Sequence, residues 1–249
     1  MSSPLKPLTL WGHKTGPNSW KVALILSELN VPYEHKFLEL AEMKEEAYES
    51  LNPNGRVPTV EDPNFGGRVV WESGACIDYV LETYDKEHKL LPKDETTKWT
   101  ARSWRDFQMS GKFDRYVPSP KSTSLLAFPT DLIYIRIGQG PYFGQYSFFI
   151  NYHPEKLPSV ISRYENEILR IVGVMDKQLS KTTYLAGEAM TYVDLMWLPY
   201  FIVAFRVPDV KWEERFPSWG RWWRGLQGRE KVEGVWGEWM GLRRSVIGR

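Results

Sequence analysis

A chain of 249 residues is long enough for one large domain or two small ones, with a substantial buried core. Apolar residues make up 42% of the composition and aromatic residues 14%, with 12 Trp, which excludes a disordered chain. The formal net charge of +1, with Lys and Arg spread along the chain, provides no electrostatic footprint for nucleic acid or an anionic membrane, and neither is expected as a partner.

The single cysteine, Cys76, excludes an internal disulfide and a multi-cysteine metal site, and suits a reducing compartment. The first residues, MSSPLKPLTL, lack the basic and apolar regions of a signal peptide. The uncharged run at 195–205 contains Pro199 and is too short to span a bilayer. We therefore expect a cytoplasmic protein that needs no metal.

The first elements along the chain alternate between strand and helix. Residues 8–11 predict a strand, and Pro17 predicts the first position of a helix, where its missing N–H costs nothing. The apolar spacing after Pro17 is that of a buried helical face. Residues 32–40 predict a second strand, and the acidic segment 41–50 predicts a second helix.

A hairpin and a third helix complete this first block. The runs VPTVE and RVVW are rich in β-branched residues and are joined by the turn sequence DPNFGG, which predicts an antiparallel hairpin. The helix SGACIDYVLETY follows, with Ser73 expected at its capping position. This order predicts a thioredoxin-like α/β domain over residues 1–86.

The rest of the chain favours helices. Residues 87–97 are charged, contain Pro92 and predict a linker. Beyond them, helices are predicted at 99–111, 157–179, 192–205 and 219–232. We therefore expect an all-α domain over 98–249.

The segments NPNGRVPTVED and WESGACIDYVLETY, with the strand and helix order around them, resemble the cytosolic glutathione transferases. The resemblance extends to a fungal subgroup that includes a nitrogen-regulating prion protein and transferases of toxin gene clusters. The stretches FQMSG, GQGPYFGQ, HPEKLPS and RYENEILRIVGVMD are similar to that subgroup in the same order. MTYVDL matches the family's capping box, with Thr191 and Asp194 as its reciprocal partners.

The resemblance implies glutathione as cosubstrate and assigns residues to hold it. Val57 would pair with the cysteinyl part through a cis bond to Pro58, and Glu72 with Ser73 would bind the γ-glutamyl end. Arg56 is a further candidate, with an ordinary surface role as the alternative. Lys44 is placed opposite the glycyl carboxylate, where Met43 is an alternative match.

The resemblance also implies that the glutathione thiolate is the nucleophile. A free thiol has a pKa of about 8.5, and hydrogen-bond donors at a helix N-terminus lower it. Asn18 matches the fungal subgroup's asparagine, whose amide would stabilise the thiolate, and Thr15 and Ser19 are hydroxyl alternatives. We interpret His13 as a surface or packed residue, because nothing near it in sequence pairs with it, and Cys76 as a buried structural thiol.

The second substrate is expected between the domains. Six aromatic residues are candidates for its pocket, although core or dimer-interface roles fit them equally: Trp11, Phe107, Tyr142, Phe143, Tyr146 and Phe148. Residues 112–138 interrupt the family pattern with a segment that has no clear period. They are either a lid that narrows substrate choice or a translated intron, and we favour the intron.

The resemblance implies a homodimeric glutathione transferase that conjugates glutathione to an electrophilic small molecule in fungal secondary metabolism. Two alternatives stay open. An amide-stabilised thiolate also serves glutathione-dependent disulfide reduction or isomerisation. The second alternative is a non-catalytic regulator that binds glutathione. The described sequence has no Asn/Gln-rich tail to support this alternative.

Overall fold

The computed structural model describes residues 4–110 and 139–247. Four strands form one mixed sheet in the order β2-β1-β3-β4. They are β1 (Leu8–Gly12), β2 (Tyr33–Phe37), β3 (Thr59–Asp62) and β4 (Arg68–Trp71). β1 runs parallel to β2, with Leu10 opposite His35, and antiparallel to β3, with Leu10 opposite Val60. β3 and β4 form the predicted hairpin, and the thioredoxin-like prediction is confirmed.

Helix α1 (Pro17–Glu28) begins at Pro17, as predicted. Its apolar side chains are fully buried because the helix lies between the sheet and the helical domain, and it packs against α3 (Ser73–Tyr84). The helix predicted at 41–50 is instead a 3-10 turn, Glu42–Lys44, followed by the single turn α2 (Glu46–Glu49). The break lies at Glu45, whose extended backbone caps the second turn.

The helical domain confirms the all-α prediction for the second half of the chain. Its elements within the described residues are α4 (Glu95–Met109), α5 (Gln139–Asn151), α6 (Pro158–Leu179), α7 (Tyr192–Trp197), α8 (Phe201–Ala204), α9 (Trp212–Arg215), α10 (Pro217–Gln227) and α11 (Glu230–Ile247). None of the helices in these two described ranges is long and apolar enough to cross a membrane.

Three of the predicted helices differ from those in the structure. α4 starts at Glu95, inside the predicted linker, because the Asp94 carboxylate caps it by accepting from the Thr97 N–H at 2.8 Å. The helix predicted at 192–205 passes through a 3-10 turn, Leu198–Tyr200, where Pro199 cannot donate to the helical ladder. The helix predicted at 219–232 ends at Gln227, before Gly228.

The capping box predicted at the start of α7 is present. The Thr191 N–H donates to Asp194 Oδ2 at 2.9 Å. Asp194 is fully buried, and its Oδ1 also accepts from the Leu185 N–H at 3.0 Å and from Trp222 Nε1 at 2.8 Å. Burial raises the pKa of this carboxyl despite those donors. The box therefore ties α7 to α10 in addition to starting a helix.

Helix α11 fastens the helical domain to the loop between β1 and α1. Trp239 Nε1 donates to the Lys14 carbonyl at 2.9 Å, and Arg243 Nη1 donates to the Thr15 carbonyl at 2.7 Å. The Trp239 ring stacks on Trp20 of α1, with ring centroids 5.5 Å apart. The loop that leads into α1 is thereby held by the helical domain.

Candidate functional site

A cavity of about 410 Å³ lies where both domains meet. It is bounded by the start of α1, the loop before β3, the residue before α3 and the end of α4. Its lining residues are Asn18, Asn52, Asn54, Arg56, Val57, Pro58, Glu72 and Met109. Five residues singled out from the sequence therefore share one cavity, although they lie up to 54 positions apart (Asn18 to Glu72).

The loop before β3 is held by its own side chains. Asn52 Nδ2 donates to the Arg56 carbonyl at 2.5 Å, and Asn52 Oδ1 accepts from the Asn54 N–H at 3.0 Å. The Tyr48 hydroxyl donates to the same Arg56 carbonyl at 2.8 Å. The Val57–Pro58 bond that follows is cis, as the resemblance predicts. Val57 is half-buried and Arg56 is exposed, so both remain available to a ligand.

Glu72 stands at the entrance to α3 in an unusual backbone conformation. Its φ is 68°, a region that costs free energy for a residue other than glycine and that recurs at functional sites. Its Oε1 accepts from Asn54 Nδ2 at 3.0 Å. These constraints fix a carboxylate at the rim of the cavity.

Ser73 is the first residue of α3 and Glu72 is the N-cap, so the prediction that Ser73 caps the helix was wrong. The cap falls one residue earlier because the chain turns sharply at Glu72. Ser73 is buried and is not among the lining residues, although it lies at the positive end of the helix dipole.

Asn18 is the second residue of α1 and lines the cavity beside Val57 and Glu72. Its Oδ1 accepts a hydrogen bond from the Tyr200 hydroxyl at 2.6 Å. An amide whose oxygen is occupied in this way has its N–H donors left for another partner. Together with the N-terminus of α1, these donors make a place for a developing negative charge.

The two hydroxyl alternatives to Asn18 lie elsewhere. Thr15 Oγ1 is 3.2 Å from His13 Nδ1, which also accepts from the Thr15 N–H at 3.3 Å, so His13 does have a partner. Partial burial lowers the pKa of His13. Ser19 is buried, and a Cβ placed on Gly12 would lie 2.6 Å from its Oγ, which shows that Ser19 faces β1. Neither Thr15 nor Ser19 lines the cavity.

Lys44 is exposed, and its Nζ donates to the Asn54 carbonyl at 3.1 Å. It therefore lies behind the loop at one side of the cavity without lining it. Cys76 is fully buried, and its Sγ donates to the Val70 carbonyl at 3.2 Å. Burial raises the pKa of the Cys76 thiol to about 12, which suits a structural residue rather than a nucleophile.

No sequence pattern pointed to Lys21. It is fully buried one turn after Asn18, and its Nζ donates to Gln108 Oε1 at 3.3 Å. Burial lowers the pKa of Lys21 to about 7, despite the opposing influence of Cys76 and Glu72. Asn52, Asn54, Met109 and Tyr200 were missed as well. Only the asparagines had a signal, since NPNG is rich in turn-forming residues.

The six aromatic candidates for the second substrate are dispersed. Phe143 and Tyr146 belong to the buried core, and the Tyr146 hydroxyl donates to the Arg206 carbonyl at 3.1 Å. Trp11 Nε1 donates to the Glu61 carboxylate on β3. None of the six is among the lining residues of the described cavity. Residues 112–138, predicted as a lid or an intron, lie outside the described residues.

Within residues 4–110 and 139–247, no three His, Cys, Asp or Glu side chains gather into a group that could hold a metal ion. The polar groups around the cavity are side-chain amides, a backbone loop, one carboxylate and one guanidinium. This set suits an organic ligand that carries both signs of charge.

Two family models match the chain. Residues 6–82 match the N-terminal domain of glutathione S-transferase, and residues 140–230 match its C-terminal domain. The Aspergillus terreus "Glutathione S-transferase-like protein gedE" is 35% identical over 245 residues, covering 94% of this chain and 96% of the relative.

Two solved structures from Phanerochaete chrysosporium are similar over almost their whole length. The glutathione transferase URE2P6, in complex with oxidized glutathione, is 37% identical with a TM-score of 0.80, covering 95% of this chain and 98% of that one. Ure2p5, cocrystallized with 1-(S-glutathionyl)-2,4-dinitrobenzene, is 30% identical with a TM-score of 0.78, covering 96% of this chain and 97% of that one.

Proposed function

The chain belongs to the glutathione S-transferase family, and from this premise we propose that it conjugates glutathione to an electrophilic small molecule. The observation that carries the proposal is the cavity in which the Asn18 amide, the Val57 backbone and the Glu72 carboxylate converge. Glutathione presents a thiol, an extended peptide and an ammonium to match these three groups.

In the proposed complex, the γ-glutamyl ammonium faces Glu72, and its carboxylate lies at the N-terminus of α3 beside Ser73. The cysteinyl backbone pairs with Val57 before Pro58. Arg56 and, behind the Asn54 carbonyl, Lys44 supply positive charge toward the glycyl end. This placement directs the sulfur toward Asn18.

Catalysis then follows from stabilising the thiolate. The Asn18 amide donates to the sulfur, and the positive end of α1 adds to the effect, so that more of the bound thiol is ionised at neutral pH. The thiol proton passes to solvent, and the thiolate attacks the electrophile and forms a carbon–sulfur bond. In a substitution the leaving group departs with its bonding electron pair, and in an addition the electrophile takes up a proton from solvent. Thr15 and Ser19 have no part in this step.

Glutathione-dependent disulfide reduction is the second candidate. Its support is the similarity to a transferase solved with oxidized glutathione, whereas conjugation is supported by similarity to one solved with a glutathionyl aromatic product. The fungal resemblance of the sequence supports an electrophile from secondary metabolism. We also propose a cytoplasmic homodimer, which sedimentation of the purified protein and localisation of a tagged chain would test.

Retention of the protein on immobilised glutathione tests the binding site. A conjugating transferase, a disulfide reductase and a non-catalytic regulator would all be retained, whereas a protein that does not bind glutathione would pass through. Turnover of a chlorinated aromatic compound is then compared with reduction of a small disulfide. We expect conjugation to dominate. Dominant disulfide reduction would support the second candidate, and retention without turnover of either would support a regulator.

A further inference from the structure

Tyr200 touches the reaction site from the helical domain, 182 positions along the chain from Asn18. It closes the 3-10 turn at Leu198–Tyr200, and its side chain is only 7% exposed. Its hydroxyl donates to Asn18 Oδ1 at 2.6 Å. Burial raises the pKa of Tyr200 well above its ordinary value, so the hydroxyl keeps its proton throughout the neutral range.

The Tyr200 ring has little freedom to move. The Phe143 ring meets it edge-on, with centroids 6.5 Å apart, and a Cβ placed on Gly140 would lie 3.4 Å from its hydroxyl oxygen. The Lys21 ammonium lies 5.8 Å from its ring centroid. These contacts hold the ring in the position from which its hydroxyl donates to Asn18 Oδ1.

A buried chain of hydrogen bonds keeps the two domains in register beside this contact. Lys21 donates to Gln108, Gln108 Nε2 donates to Gln139 Oε1 at 3.2 Å, and Gln139 Nε2 donates to the Trp197 carbonyl at 3.1 Å. The chain runs from α1 to the last residue of α7, immediately before the turn that carries Tyr200. It therefore fixes the distance between α1 and Tyr200.

We infer that Tyr200 is a positioning residue for Asn18: its hydroxyl holds the amide oxygen, so that the amide N–H donors face the glutathione sulfur. An asparagine amide without such a partner can turn by half a rotation and present its oxygen instead, which would repel a thiolate. Tyr200 touches neither substrate in this scheme and acts only through Asn18. The inference rests on the proposed function.

The first test measures the ionisation of bound glutathione by the ultraviolet absorption of its thiolate, which needs no second substrate. Tyr200→Phe removes only the hydroxyl. We expect the apparent thiol pKa of the bound glutathione to rise by about one unit and turnover of a chlorinated aromatic to fall about tenfold. The Kd of glutathione, measured at a pH low enough to keep the thiol protonated, should be unchanged. Tyr79→Phe is the matched control, because it removes a hydroxyl that donates to Asp62 at 2.7 Å, outside the cavity lining.

A double-mutant cycle then separates this inference from the proposed function. If Tyr200 acts through Asn18, adding Tyr200→Phe to Asn18→Ala causes no further loss. Independent losses, or an unchanged thiol pKa in Tyr200→Phe while Asn18→Ala is impaired, would overturn the inference and leave the proposed function intact. Unimpaired Asn18→Ala would instead overturn the role of Asn18 itself.

Asn18→Asp supplies a second variant in case Tyr200→Phe does not fold. The Tyr200 hydroxyl would bind one carboxylate oxygen and turn the other, negatively charged oxygen toward the sulfur. We expect Asn18→Asp to lose at least as much turnover as Asn18→Ala and to raise the thiol pKa further. Turnover near that of the native protein would contradict the inference.

Discussion

Arg229 holds the carboxylate of Glu28 with two hydrogen bonds, from Nε at 2.8 Å and from Nη2 at 3.0 Å, and so joins the end of α1 to the start of α11. The Glu28 side chain is 2% exposed, and Lys89 adds a second cation 3.4 Å away. Burial alone would raise the pKa of Glu28, but these two cations lower it. The carboxylate therefore stays charged at the junction of the two domains.

Replacing Glu28 with Gln removes this charge but keeps the side chain's shape. We expect the free energy of unfolding to fall by about 2 kcal/mol, since hydrogen bonds to a charged partner are lost and Arg229 is left without its counterion. Urea denaturation measures the change. The pKa of Glu28 is lowered in the folded state. The difference in free energy of unfolding between the native chain and Glu28→Gln should therefore shrink as the pH falls through that folded pKa.

Glu214→Gln is the control for this prediction. Glu214 pairs with Lys211 at 3.1 Å, but both side chains are more than 70% exposed. A pair in water contributes on the order of 0.5 kcal/mol or less. Equal losses for Glu28→Gln and Glu214→Gln would show that Glu28 does not fasten the domains.

Thr191→Ala tests the capping box. We expect a loss of about 1 kcal/mol in the free energy of unfolding, the ordinary cost of an N-cap. Asp194→Ala should cost more, on the order of 3 kcal/mol, because the N–H groups of Leu185 and Trp222 would be buried without an acceptor. Thermal denaturation of both variants checks the order, and a smaller effect for Asp194→Ala would refute it.

His35 makes the fold sensitive to acid. Both its ring nitrogens are buried without a hydrogen-bond partner among the described residues, and its ring packs on Trp20 and Phe37. Burial lowers the pKa of His35 from 6.5 to about 3. Between these values the unfolded chain binds a proton that the folded chain does not, so stability falls as the pH drops from 6.5 toward 3.

The His35→Leu variant should lose this part of the pH dependence. Its urea midpoint, measured from neutral pH down to about pH 4, is expected to fall less steeply than that of the native chain. His88→Asn is the control, because His88 is exposed and asparagine tolerates its φ of 59°. Parallel curves for native and His35→Leu proteins would rule out His35 as the source.

Asn54 should contribute to glutathione affinity without touching the sulfur. Its Nδ2 holds Glu72 Oε1 at 3.0 Å, and Asn54→Ala frees the carboxylate proposed to meet the ammonium. We expect the Kd of glutathione to rise about five- to tenfold, the value of about one hydrogen bond. Calorimetric titration measures it, with Asn64→Ala as a control outside the lining. An unchanged Kd would contradict the proposal that Asn54 holds the Glu72 carboxylate in place to bind the ammonium.

The sequence predicted the sheet and the first helix because their signals are local. Pro17 marks the start of α1, and DPNFGG, with its two glycines at φ of 71°, closes the hairpin between β3 and β4. The resemblance selected Asn18, Val57 and Glu72, which share the cavity. Each of them lies beside a feature visible in the sequence: Asn18 follows the helix-starting Pro17, Val57 precedes Pro58, and Glu72 precedes the predicted helix α3.

The remaining features depend on contacts between distant parts of the chain. The Tyr200–Asn18 hydrogen bond spans 182 positions, and nothing local indicates it. A lysine is normally expected at the surface, yet Lys21 is buried because α1 lies between two domains. Helix α11 was not predicted either, because its weakly amphipathic sequence is ordered by packing on α1 and on the loop before α1.

The most direct test of the account is the rate at which Asn18→Ala conjugates a chlorinated aromatic at saturating glutathione, with the Kd of glutathione measured on the same protein. Loss of one donor to a developing anion predicts turnover lower by roughly tenfold to a hundredfold, with an unchanged Kd for glutathione whose thiol is protonated. Asn64→Ala should match the native protein in both. Native turnover in Asn18→Ala would contradict the assignment of thiolate stabilisation to this amide.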